Sequence, residues 1–173
     1  MELGPVDRIT ADAIGEPGDR AFYLQARAGT EMVTVAVEKE QVQLLSASIL
    51  ELLADLELET GQGPGEEAMA LEEPFEPRWR AGKLAIGFDQ EQNLFQLEIE
   101  EFQPDVEDDD PRSLLLDEPE TVRLFATREQ MFALSRHGAE VAQRGRPTCQ
   151  YCGNPMDPEG HACPAMNGHS KRD

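Results

Sequence analysis

All three cysteines of this 173-residue chain lie between Cys149 and Cys163, in "CQYCGNPMDPEGHACP". Cys149 and Cys152 have the x2 spacing of a metal knuckle, in which two thiolates turn toward one ion. Gly153 supplies the positive φ that such a turn often needs. Asp157-Pro158-Glu159-Gly160 has type I turn chemistry, with Asp first, Pro second and Gly fourth, and would send the chain back toward the knuckle. His161 and Cys163, two residues apart in an extended segment, share one side. Cys149, Cys152, His161 and Cys163 therefore form a candidate Cys3His set, the kind of tetrahedral donor set zinc prefers. Three thiolates and a neutral imidazole around Zn²⁺ leave a local charge of about −1. With all four positions filled, no place remains for an activated water, so the expected role of Zn²⁺ is structural. Metal binding would supply the folding free energy that so short a tail cannot draw from a core. The spacing leaves alternatives open: an open fourth position or His169 in place of His161, either of which would admit catalytic or redox chemistry; reduced cysteines without metal; or an iron–sulfur cluster on three cysteines.

The rest of the chain must position this tail. Its apolar fraction of 39% is enough for a core, while a formal charge of −20 is extreme for this length. Such a charge repels nucleic-acid backbones and anionic membranes and favours neutral or basic partners. No stretch reaches the roughly 18–20 apolar residues of a membrane helix, and no signal-peptide pattern opens the chain. Few, clustered cysteines suit a reducing compartment. The expected location is cytoplasmic, with nucleic acid and membrane disfavoured as partners.

Hydropathy patterning predicts an α+β fold: a mostly antiparallel sheet with two packed helices. "DRITADAI" partly alternates. "RAFYLQARAG" and "EMVTVAVEK" read as strands, with Phe22, Leu24 and Ala26 on one face and Val35 and Val37, with Met32 or Val33, marking the next. From Glu38 to Glu57, Val42, Leu45, Ile49, Leu52, Leu53 and Leu56 recur at helical spacing and predict a helix packed on the sheet. Residues 59–77 are Gly-, Pro- and Glu-rich and read as a linker. Because "GQGPG" follows a helix and not a strand, it is no phosphate-cradling loop. "WRAGKLAIGFD" and "NLFQLEIEEF" predict a hairpin, "TVRLFA" a further strand, and Thr127 to about Arg144 a helix opened by a Thr127/Gln130 capping box. Met131, Leu134, Gly138, Val141 and Ala142 form its inner stripe. Phe132 lies off that stripe, either covered or an exposed contact.

"KEQVQLLS" at 39–46 and "REQMFALS" at 128–135 match in register, and each follows a strand. The chain thus reads as two strand–strand–strand–helix halves, about 1–58 and 78–147, forming a 1–147 core domain that resembles an internal duplication, followed by a zinc-knuckle tail at 148–173. Other constellations carry less. "DVEDDDPRSLLLDE" lacks the glycine and the final carboxylate of a calcium loop. Glu98, Glu100 and Glu101 read as a wet sheet face. His137 reads as a surface or packed histidine. Arg123, Arg128, Arg136, Arg144 and Arg146 make the last helix region basic and could answer the helix dipole or pair with the acidic loop. Phe22, Tyr23, Trp79, Phe88 and Phe95 would be the stacking residues of a single-strand nucleic-acid reading, which the acidity opposes.

The segments "VDRITADAIGEPGDRAFYLQARAG", "VTVAVEKEQV" and "CQYCGNPMDPEGHACPAMNGH" together resemble an uncharacterised, largely actinobacterial family, domain of unknown function 3090. The resemblance covers nearly the whole chain and implies no activity and no catalytic residue. Members of that family are often found beside a kinase-like protein resembling phosphatidylinositol kinases and a histidine-phosphatase-like protein, which implies partners in a shared pathway. The sequence therefore points to a zinc-binding, non-enzymatic adaptor or regulator with a protein partner. An enzyme with a cleft between the two halves, or a single-stranded nucleic-acid binder, stands as the alternative.

Overall fold

The computed structural model describes residues 1–16, 19–73, 76–104, 107, 109–115, 117–144, 161–162 and 170–171. The fold is α+β. The first half runs β1 (Glu2–Leu3), β2 (Arg8–Ile14), β3 (Ala21–Ala28), β4 (Glu31–Val37) and α1 (Lys39–Asp55). The second runs β5 (Ala81–Asp89), β6 (Leu94–Glu101), β7 (Thr121–Ala126) and α2 (Arg128–Arg144). Short 3-10 turns at Glu66–Met69 and Pro111–Leu115 interrupt the two long connections. A final pair, β8 (His161–Ala162) and β9 (Ser170–Lys171), is antiparallel.

Two main sheets form where a single sheet was expected. One is antiparallel, in the order β2-β3-β4; the other is mixed, in the order β1-β7-β6-β5. Within the strands the alternation predicted from sequence is observed. Phe22, Leu24 and Ala26 of β3 are buried, as are Val33, Val35 and Val37 of β4 and Phe95, Leu97 and Ile99 of β6. The inner stripe of α2 is buried at Met131, Leu134, Val141 and Ala142. In α1, Val42, Leu45, Ile49 and Leu53 are buried, but Leu56 is exposed. The helix stops at Asp55 and Glu57 takes φ 53, so the chain turns before Leu56 can face inward.

Each half lends a short strand to the other. Glu2 and Leu3 pair in parallel with Arg123 and Leu124 of β7. At the start of the second half, Ala36 of β4 bridges Arg80 in parallel, backed by Arg78 N–H to Thr34 O at 2.7 Å and Ala36 N–H to Trp79 O at 2.9 Å. The helices follow the same exchange: α2 packs along β2, α1 lies along β5, and the two helices pack on each other. Gly138 makes that crossing close. A Cβ there would come within 2.8 Å of Ser46 Oγ and 3.2 Å of Val42 Cγ1. Buried residues of both halves join one hydrophobic cluster. Full burial of a side chain such as Ile49 contributes on the order of 1.5–3 kcal/mol.

Both helices open on the same device. Thr127 N–H donates to Gln130 Oε1 at 2.8 Å, and Gln130 N–H donates to Thr127 Oγ1 at 3.1 Å, forming the predicted capping box. In α1, Glu38 N–H donates to Gln41 Oε1 at 2.7 Å. The other end of each amide crosses to the opposite half: Gln130 Nε2 donates to Val6 O at 2.8 Å, just ahead of β2, and Gln41 Nε2 donates to Gly82 O at 3.0 Å, in β5.

The connection between the halves is strapped down. Arg128 donates to Glu59 O and Arg136 to Pro64 O. Met69 is buried, and Thr10 Oγ1 donates to its carbonyl at 2.6 Å. Arg8 donates to Ala70 O, while Gln25 and Glu72 exchange two hydrogen bonds through Gln25 Nε2 to Glu72 O and Glu72 N–H to Gln25 Oε1. Gly63 permits the closest approach. It has φ 73, and a Cβ would stand 2.2 Å from Glu129 O and 3.3 Å from Ala133 Cβ. Gly63→Ala combines left-handed strain with a backbone clash, so it is expected to lower stability by about 1–3 kcal/mol, read as an earlier urea midpoint at unchanged slope.

Candidate functional site

The ligand set expected for zinc lies almost wholly outside the described residues. Cys149, Cys152, Cys163 and the alternative ligand His169 lie outside them, and His161 is described only as backbone, in β8 opposite Lys171. The described polar cluster is elsewhere, on α2. His137 is 4% exposed, buried among three segments distant in sequence. Its Nδ1 lies 2.8 Å from Glu66 Oε2, in the 3-10 turn of the strap, and its Nε2 lies 3.2 Å from Asp12 Oδ1 on β2. Arg136 Nε stands 4.0 Å from the other oxygen of Glu66. His137, Glu66 and Glu140 each offer a ligand atom, all within 4.8 Å of one another.

Both imidazole nitrogens face a carboxylate oxygen, so each is best used as a donor, which requires the protonated ring. Burial is the largest single influence and pushes the pKa of His137 down. The hydrogen bonds and charges of Asp12 and Glu66 together push it further up, and it settles above its ordinary 6.5. A metal would need the lone pair of a neutral imidazole. The cluster is a clamp in which the His137 ring, with its charged form favoured by the two carboxylates, ties strap, strand and helix at one point. Sequence gave no signal for it, because Asp12 and Glu66 stand 125 and 71 residues from His137.

The remaining candidates are absorbed by structure. Arg128 and Arg136 hold carbonyls of the strap. Arg136 also lies 5.7 Å over the ring of Phe132, which is half-buried against the core. Arg123 Nε donates to Glu98 Oε2 at 2.9 Å, so Glu98 is an ion-pair partner on the sheet face. Arg78 and the Trp79 indole both donate to Glu120 at 2.8 Å; the indole first and Arg78 second hold that carboxylate below its usual range. Within the acidic loop, Arg112 donates to Asp110. Of the aromatic residues singled out for stacking, Phe22 and Phe95 are core, and Phe88 meets Phe95 edge-on at 5.0 Å. Where the helices cross, Gly138 packs closely on Ser46 and Val42, while a groove lies between α1 of the first half and β5 of the second, lined by Leu44, Leu45, Leu84 and Ile86. No helix among the described residues is long and apolar enough to cross a membrane.

A family model described as a protein of unknown function (DUF3090) matches residues 1–163, and the chain belongs to that family. No curated protein and no solved structure matches it.

A histidine whose pKa is raised on folding contributes stability that is fully present below its unfolded pKa and is lost as pH rises through the folded one. The clamp is therefore expected to strengthen the fold fully below about pH 6.5 and to weaken progressively above that value. His137→Gln should remove this pH dependence and cost ~2–3 kcal/mol at low pH, as measured by urea unfolding across a pH series.

Proposed function

For a chain whose family carries no assigned activity, we propose a cytoplasmic, non-enzymatic adaptor or regulator whose C-terminal tail, residues 148–173, folds around a structural Zn²⁺ held by Cys149, Cys152, His161 and Cys163. The observation that carries the reading is the spacing Cys149-x2-Cys152 followed by His161-x-Cys163 in a chain with no other cysteine. The donor set fits zinc in type and number. When bound, the ion would cross-link the tail; the thiols of Cys149, Cys152 and Cys163 would give up their protons and His161 would bind as neutral imidazole.

The buried histidine of the core is engaged by a carboxylate on each ring nitrogen, which supports a structural use of that residue. We infer further that the two halves descend from one duplicated unit. The order of elements, the register of 39–46 with 128–135, and the paired glutamine contacts support this. A protein partner fits a −20 chain better than a nucleic acid does. Kinase-like or phosphatase-like proteins of a shared pathway are the first partners to test.

Purified full-length protein is expected to hold about one equivalent of zinc, with Cys152→Ser losing most of it. A wild-type content under about half an equivalent would sink the four-ligand site. Retention of zinc by a His161→Ala chain, with loss on His169→Ala, would move the fourth ligand to His169.

A further inference from the structure

The strap between the halves is tied at both ends by guanidinium and amide donors that do not titrate at ordinary pH. Upstream, Arg136 donates to Gln62 O and Pro64 O. Downstream, Gln25 exchanges two hydrogen bonds with Glu72, and Arg27 Nε donates to the Glu72 carboxylate at 3.0 Å. Between these ties lies the 3-10 turn Glu66–Met69, with Ala68 N–H donating to Gly65 O at 3.0 Å. Residues three apart in such a turn stand on the same side. Glu66 and Met69 are its first and last residues, so the side chain that meets His137 and the side chain that enters the core move together. Met69 is 1% exposed, and Thr10 Oγ1 holds its carbonyl. Within residues 59–73 Met69 alone joins the buried core, so lifting this turn takes one side chain out of it.

We propose that the turn Glu66–Met69 is a proton-operated latch: it is closed while His137 is protonated and lifts from β2 when the ring is neutral, both sheets and both helices staying packed. The reason is the number of donors. A neutral imidazole has one N–H, and its other nitrogen carries a lone pair. With one carboxylate oxygen 2.8 Å from Nδ1 and another 3.2 Å from Nε2, one of the two must then face that lone pair. Asp12 is fixed in β2 with its side chain 19% exposed, whereas that of Glu66 is 49% exposed and can turn to water. Relief therefore comes from Glu66, which takes Met69 with it. The other groups round the ring do not replace its proton. Glu140 of α2 adds a further carboxylate beside Glu66 and His137. Arg136 stands 4.0 Å from Glu66 and already donates to strap carbonyls. Arg8 of β2 is near enough to Asp12 to feel its charge, and it donates to Ala70 O. Arg20 is engaged by Val141 O, one turn beyond His137. From α1, the residues at the crossing are the uncharged Val42 and Ser46. Because the two carboxylates raise the pKa of His137, the latch is closed below about pH 6.5 and opens progressively as pH rises through the folded value. The latch is independent of the zinc reading, since no residue of the tail takes part.

The test is oxidation of the full chain by dilute hydrogen peroxide, read at each methionine by peptide mapping. A thioether has no proton to lose, so the rate of sulfoxide formation reports how often the side chain is exposed. Oxidation of Met69 is expected to quicken several-fold from about pH 5.5 to about pH 8.5, on either side of the ordinary histidine value. Met131, 0% exposed, should stay protected throughout, and Met1, 44% exposed, supplies the open reference. In His137→Gln, Met69 should oxidise at the same rate at both pH values. Glu66→Gln, at a half-exposed position, should flatten the response as well and serves if the first variant folds poorly. A wild-type Met69 rate that does not change with pH would overturn the latch. So would oxidation of Met131 in step with Met69, since the whole fold would then be opening, or a pH response that survives in both variants.

Discussion

Two side-chain amides hold the architecture. Gln41 and Gln130 each close the first turn of their own helix with the carbonyl end and reach the opposite half with the amino end. A glutamine amide carries an acceptor and a donor side by side at the end of its side chain, so neither a glutamate carboxylate nor a lysine ammonium could serve both contacts. The helix start and the entry into the other half's first strand are thereby fixed relative to each other. The parallel pairing of Glu2–Leu3 with β7 and of Arg80 with β4, and the laying of each helix along the other half's strand, follow from that placement.

The connection between the halves depends on this frame. Because α2 lies along β2, a chain leaving α1 must cross α2 before reaching the second half, and it does so at Gly63, the Arg136 contacts and His137. A segment rich in Gly, Pro and Glu would ordinarily stay solvated. Here its carbonyls find guanidinium donors and its Glu66 finds the His137 ring, so backbone polar groups near the surface are satisfied with little regular secondary structure. Arg128 and Arg136 of α2 are thus engaged by the strap.

Much of this was legible in the sequence, because strands and helices declare themselves by the period of their own burial. The alternation in β3, β4 and β6, the stripe of α2 and the Thr127/Gln130 box needed no distant partner to be read. What escaped was whatever depended on a partner far along the chain. The two-residue strand β1 has no period to detect, and neither does the Arg78–Arg80 segment. His137 reads as an ordinary helix residue until Asp12 and Glu66 are placed beside it. Leu56 was misassigned because apolar spacing does not report a helix end that is set by Glu57 turning to positive φ. The zinc ligands are the reverse case: local spacing makes them readable, and the described residues hold only the backbone of His161.

The parallel pairing of Glu2 and Leu3 with Arg123 and Leu124 carries a consequence for how the chain acquires this structure. The amino terminus donates to Thr121 O across a separation of 120 residues. During synthesis, therefore, the first strand has nothing to pair with until most of the protein has left the ribosome. The sheet β2-β3-β4 and the β5–β6 pair are closed by local hairpins and can form early, whereas β1 waits for β7. Topology of this kind slows folding, because the entropy of closing a long loop is lost before any contact repays it. In this sense Glu2 and Leu3 are among the last residues to be ordered, although the strands next to them in sequence are among the first.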